Sequence, residues 1–177
     1  MDEIKYTIRT TMEKQDYRKF LYLATFCRNK MVIPMIASIA LAGSLLMNWN
    51  QHSFNWISIA ISWMLLFALA IVIVCFKVER KNKLRVTSDH TGTFGSLNVL
   101  KFYEDKVVME NDSLKSTGEL KYSQFFSVIE SKDYFIFYLT ANQASLIRKK
   151  DVNSPDTFKK FLTEVFNDKY KHIWYRL

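Results

Sequence analysis

Glycine, proline and cysteine are scarce: the 177 residues contain four, two and two of them. So little Gly and Pro excludes collagen-like, linker-rich and low-complexity chains. Cys27 and Cys75 stand near the edges of apolar segments, in neither a CxxC pair nor a disulfide framework. No zinc site can be built from them, and both are expected as reduced thiols without a chemical role. Charge is absent from two long stretches, Met31–Met47 and Trp56–Phe76, which contain no Asp, Glu, Lys, Arg or His. Residues of those types mark proton relays and ion paths inside a bilayer, so transport and intramembrane proteolysis lose their support. Neither a P-loop nor GxGxxG occurs, and Thr91–Gly95 is too short to cradle a phosphate. His52, His90 and His172 are dispersed, so neither a metal cluster nor a His-paired nucleophile is visible. Glu104-Asp105 reads as a turn instead of an acid/base pair. The chain is expected to be no enzyme and to carry no cofactor.

What is present is apolar residue concentrated in one region. Hydrophobic residues make up 49% of the chain, gathered so heavily between Met31 and Phe76 that the remainder reads as a polar, Lys-rich soluble protein. Each uncharged run is near the roughly 20 residues that cross about 30 Å of hydrocarbon. A chain this small has no outer layer to cover two helices apolar on every face, so lipid must cover them. The expectation is a transmembrane hairpin, 31–48 and 56–76, with an outer loop 49–55 that lacks Lys and Arg and is bordered by Trp49 and Trp56. Pro34 falls in the first turn of the first helix, where its missing N–H breaks little. Ala40, Gly43, Ser44, Ser58 and Ser62 are small residues that let the helices approach.

The formal charge of +8 would point to nucleic acid in a soluble protein, but much of it flanks the apolar runs. Arg18, Lys19, Arg28 and Lys30 precede the first run, and Lys77, Arg80, Lys81, Lys83 and Arg85 follow the second. The positive-inside bias predicts a multi-pass cell-membrane protein with both termini cytoplasmic. Arg28, Lys30, Trp49, Trp56, Lys77, Arg80 and Lys81 are the expected membrane-interface residues, and anionic headgroups their partners. Arg148, Lys149 and Lys150 form a second basic group, read either as a solvated strand end or as an anionic-surface contact.

The flanking parts read as an α+β protein. Residues 1–30 predict a strand over Ile4–Thr10 and an amphipathic helix, with Thr10 and Glu13 fitting a capping box. That helix lies either along the membrane or against the soluble domain. Residues 77–96 form a basic connector, and 97–177 a β domain. Its strands are expected over 97–103, 107–110, 119–122 (after a loop containing Gly118), 125–130, 134–139 and 145–148. They predict a small antiparallel sheet or barrel. Ser154 then caps a helix with Pro155 in its first turn, and Phe158, Phe161, Leu162, Val165 and Phe166 make one apolar stripe that plugs the β domain. The aromatic, basic tail 170–177 either returns to the headgroups or docks on its own domain.

Four stretches carry a resemblance: Val99–Asp105, Tyr122-Ser-Gln-Phe125 in place of the common Trp-Ser-Asp-Ile type, Glu130–Phe135, and Leu146–Val152, where Arg148 stands in place of a frequent Pro. Over nearly its whole length the chain resembles the YcxB-like family of bacterial membrane proteins. The resemblance implies a C-terminal domain of pleckstrin-homology-like (PH-like) character and no established activity. Two functions are compatible with this reading. One is a noncatalytic membrane-anchored binding or regulatory protein that engages a protein partner. The alternative is an immunity protein protecting its producer from a membrane-active bacteriocin or toxin.

Overall fold

The computed structural model describes residues 3–28, 30–49, 55–90, 92–111, 115–141 and 143–172. His52, the remainder of the loop 50–54 and the tail residues 173–177 lie outside the described residues. The chain divides into two compact units, one made of residues 1–16 with 89–177, the other of residues 17–88.

The first unit is built on two four-stranded sheets. In the first, β1 (Tyr6–Thr11), β2 (Leu97–Phe102), β3 (Lys106–Asn111) and β4 (Ser116–Lys121) lie side by side in that order. β1 pairs antiparallel with β2 from Tyr6↔Phe102 to Thr11↔Leu97, so the sheet joins residues on either side of the second unit. The second sheet contains β5 (Ser127–Glu130), β6 (Tyr134–Tyr138), β7 (Ala144–Arg148) and β8 (Tyr170–His172), in the order β7-β6-β5-β8. All its pairs are antiparallel except β5 with β8. β6, Tyr-Phe-Ile-Phe-Tyr, is aromatic and β-branched and buried at every position, as a strand covered on both faces must be. Neither sheet closes on itself, which corrects the barrel alternative: each ends at its own edge strands.

Helix α4 (Pro155–Phe166) supplies the filler between the strands. Phe158 and Leu162 are fully buried in one cluster with Val128, Phe135 and Ile147, and Phe166 is 3% exposed. The rings meet edge to face, Phe158 at 5.0 Å from Phe102 and 5.3 Å from Phe135, the geometry aromatic quadrupoles favour. The apolar stripe thus lies where its spacing placed it. Ser154 occupies the N-cap position but makes no side-chain capping bond; its carbonyl accepts from the Phe158 N–H.

Two further readings are corrected. Thr10 caps no helix: it is still in β1, and its hydroxyl donates to Asp151 at 2.6 Å. Helix α1 (Lys14–Tyr22) instead starts where the Glu13 N–H donates to the Asp16 carboxylate at 2.9 Å. Gly118 lies within β4, opposite Met109, where an exposed edge strand tolerates a residue with no side chain to pack.

In the second unit a π-helical turn, Leu23–Cys27, continues α1, and the run Lys14–Cys27 is bent by 61° from α2 (Val32–Met47). α3 spans Trp56–Thr87, capped by the Asn55 side chain, which accepts from the Ile57 and Ser58 N–H groups. It continues past the apolar run because Lys, Glu, Arg and Leu are good helix formers and no Gly or Pro intervenes before Gly92. α3 is long and apolar enough to cross a membrane. The 16 residues of α2 rise only about 24 Å, short of the roughly 30 Å of hydrocarbon, so α2 alone falls below that length.

α2 packs against α3 through the small residues that the sequence singled out. Ala40 and Ser44 are buried, and a Cβ on Gly43 would lie 3.2 Å from Leu66. The Trp63 indole donates to the Ala37 carbonyl at 3.0 Å, and the Asn48 amide reaches both Ser44 O (2.8 Å) and Ser62 Oγ (3.4 Å). Ser62 itself donates to the Ser58 carbonyl.

Candidate functional site

A carboxylate stands where an apolar residue is expected. β5 is buried at all four positions, and its last residue, Glu130, is 3% exposed. An ionised carboxylate survives there only if paired and hydrogen-bonded. Lys149 donates to Oε1 at 2.6 Å; Lys159 (3.0 Å) and the Tyr170 hydroxyl (2.8 Å) reach Oε2, and His172 Nδ1 lies 2.7 Å from the same oxygen. The partners come from the end of β7, from α4 and from β8, so Glu130 joins three elements to β5. Burial pushes its carboxyl up, and the four donors more than offset that, drawing it down to about 2. Tyr170 is pushed the other way, by burial first and then by the adjacent carboxylate. Glu130 therefore stays ionised at neutral pH and holds β8 in place; it is no proton acceptor in that range.

A second cluster lies at the same end of β7, one residue before Lys149. The Arg148 guanidinium donates to Asp151 (2.7 Å), Glu13 (2.8 Å) and the Thr11 hydroxyl (2.6 Å) and lies 3.7 Å from Asp16. Asp16 also accepts from the buried Tyr134 hydroxyl at 2.7 Å. The Tyr134 hydroxyl is raised by burial and then by that carboxylate. Arg148, against the pull of burial, is held fully charged by Asp151, Asp16 and Glu13. The cluster fastens the first turn of α1 and the end of β1 to β7.

Of the residues the sequence singled out, Arg148 and Lys149 thus each meet carboxylates of their own unit, and Lys149 also stands 5.1 Å over the Phe135 ring. Lys150 is exposed. Lys77, Arg80 and Lys81 are exposed on α3 beyond its apolar run, Arg28 and Lys30 are exposed between the π-helical turn and α2, and Trp49 and Trp56 are 77% and 73% exposed at the ends of α2 and α3. Arg18 and Tyr22 converge on Glu79, at 2.7 and 2.8 Å, a contact within the second unit that periodicity did not indicate. Sequence reasoning missed Glu130; the available signal was an acid closing the otherwise uncharged run Phe125–Ile129.

Among the described residues no group of three or more His, Cys, Asp and Glu is placed to hold a metal ion. An apolar pocket lined by Leu100, Met109, Leu120, Phe125, Phe137 and Leu139, among others, has about 20 Å³ of room, close to what one water needs. No curated protein and no solved structure matches the chain. The stretch from the end of β2 into α4, with Glu130, Arg148, Lys149 and Lys159 inside it, does have a counterpart: residues 102–163 match the family model described as YcxB-like protein, and the similarity extends over those residues.

Proposed function

We propose that the protein is a noncatalytic binding module anchored in the membrane, with its β unit at the cytoplasmic face. The observation that carries this reading is the β1–β2 ladder, Tyr6↔Phe102 to Thr11↔Leu97. Its two strands belong to one folded body, so the chain leaves that body after Asp16 and returns at Asp89 on the same side of any membrane. The intervening residues must then cross an even number of times. On this reading α3 is one crossing, and α2 with the residues just before it is the other. The absence of Lys and Arg from 49–55, against their abundance before α2 and after Phe76, puts the β unit inside.

A four-stranded meander, a three-stranded meander and a closing helix also fit a PH-like domain, a fold that serves recognition more than chemistry, although fold alone names no ligand. The open edge of β4, exposed along nearly all its length, suits a partner that adds a strand. Anchoring raises the local concentration of such a module for partners at the same surface.

The test uses the full chain with Cys27 and Cys75 replaced by Ser. A thiol probe unable to cross membranes should label Trp49→Cys in intact cells and Lys150→Cys only after permeabilisation; the reverse pattern ends the reading. A photoreactive residue at Thr117 on β4 should then capture a saturable partner. Capture of a membrane-active peptide along α2 and α3, with nothing saturable at β4, would favour protection of the producer instead.

A further inference from the structure

We infer that β8 is exchanged between two copies of the chain, the Tyr170–His172 strand of each lying on β5 of the other. β8 is three residues long and forms the sheet's one parallel pair, Val128↔Tyr170 to Glu130↔His172. So short a parallel ladder holds little by itself. Its hold comes from the side chains that converge on Glu130, the Tyr170 hydroxyl and His172, each within 2.8 Å of Oε2.

The turn that brings β8 to its own β5 is strained. α4 stops at Phe166, and Asn167 takes φ 41° and ψ −111°, a positive φ that L side chains avoid. Its N–H still donates to the Thr163 carbonyl, and the reversed chain then sets the Lys169 amine on the Ser123 and Phe125 carbonyls at 3.0 and 3.1 Å. In an exchanged pair residue 167 is free to take an ordinary negative φ. The parallel ladder and the bonds to Glu130 are remade unchanged on the neighbour. The closed and exchanged forms therefore differ mainly in the strain at Asn167 and in the entropy of association. Short strained hinges favour exchange on those terms. The inference needs no external ligand and does not depend on which partner β4 meets.

The experiment uses full-length copies with two different tags, in the Cys27→Ser, Cys75→Ser background. One copy carries Ile129→Cys and the other Lys171→Cys, positions that are Cα partners across β5 and β8. Exchange predicts a disulfide joining the two tags on mild oxidation. Because Ile129 is buried, a photoreactive residue at the exposed Lys171 gives a second reading that leaves β5 untouched: exchange predicts β5 peptides of the other tag among its products.

Asn167→Gly relaxes the closed turn and should lower the intermolecular yield about tenfold, within the range that such backbone strain supplies. Asn167→Val, worse at positive φ, should raise it. Crosslinks confined to single chains, or an intermolecular yield indifferent to both substitutions, overturn the exchange.

Discussion

The β unit and the helical unit obey opposite rules about water. Among the described residues, the exposed large hydrophobic side chains of the β unit are Ile4, Leu97 and Phe126, whereas α2 and α3 expose a long series of them, including Ile39, Leu46, Ile57, Leu65, Leu69, Val72 and Phe76. Polar groups divide the other way. The β unit buries Glu130 and Asp16 and gives each a set of donors, while the helical unit buries Ser44 and keeps its charged side chains outside the apolar runs. The contrast shows two sources of cohesion in one chain. The β unit is held by aromatic burial around α4. The α2–α3 contact, between helices that leave most of their apolar side chains exposed, depends on close approach and on bonds such as Trp63 to Ala37.

The largest effect that could break this contrast is in the cores. Phe158→Ala should lose about 3–5 kcal/mol in denaturant unfolding of the detergent-solubilised chain, as truncation of a fully buried aromatic does. Leu65→Ala, at a position 67% exposed on α3, should leave the unfolding midpoint almost unmoved; an equal loss there would erase the distinction.

Next comes the buried charge. Glu130→Ala strands Lys149 and Lys159 beside an emptied site, and about 3 kcal/mol is the expected loss, with faster hydrogen exchange across Tyr170–His172. The same group sets an acid limit. Its carboxyl falls from an ordinary 4.5 to about 2 on folding, so its contribution is complete above pH 4.5 and disappears as pH falls toward 2. That window is worth about 3 kcal/mol. Glu130→Gln should flatten the acid limb of the stability profile; an unchanged limb would assign it to other carboxylates.

Glu79→Ala, by contrast, removes an acceptor whose partner Arg18 is 57% exposed, and the unfolding midpoint should not measurably move. The smallest effect is at Gly43. Alanine gains helix propensity of about 1 kcal/mol. It also presses on the end of the Leu66 side chain at 3.2 Å, so the two terms should nearly cancel in a thermal shift.

Short-range patterns were legible in the sequence and long-range ones were not. The aromatic run Tyr134–Tyr138, the stripe from Phe158 to Phe166 and the small face Ala40-Gly43-Ser44 each sit where periodicity put them, because each is decided by neighbours within a few residues. The partner of β1 could not be read, since strand pairing over some ninety residues leaves no local trace. Thr10 misled because a Thr three residues before a Glu serves a strand end as well as a helix cap, and only the distant Asp151 decides between them. Glu130 was missed for the same reason: its donors, Lys149, Lys159, Tyr170 and His172, are spread along the chain and meet only in the fold. The apolar run ending at Phe76 set the length of the uncharged segment but not that of the helix, which ends where helix-forming residues give way near Ser88.

The ladder between β1 and β2 also bears on how the protein can be handled. Because Asp16 and Asp89 are the cut ends of one body, and the Gly95 N–H already donates to the Met12 carbonyl at 2.9 Å, the helical unit is a guest that can be excised. A short turn joining the two ends would preserve the whole first sheet and the Arg148 and Glu130 clusters. The host left behind would keep its buried aromatic core without the exposed apolar side chains of α2 and α3.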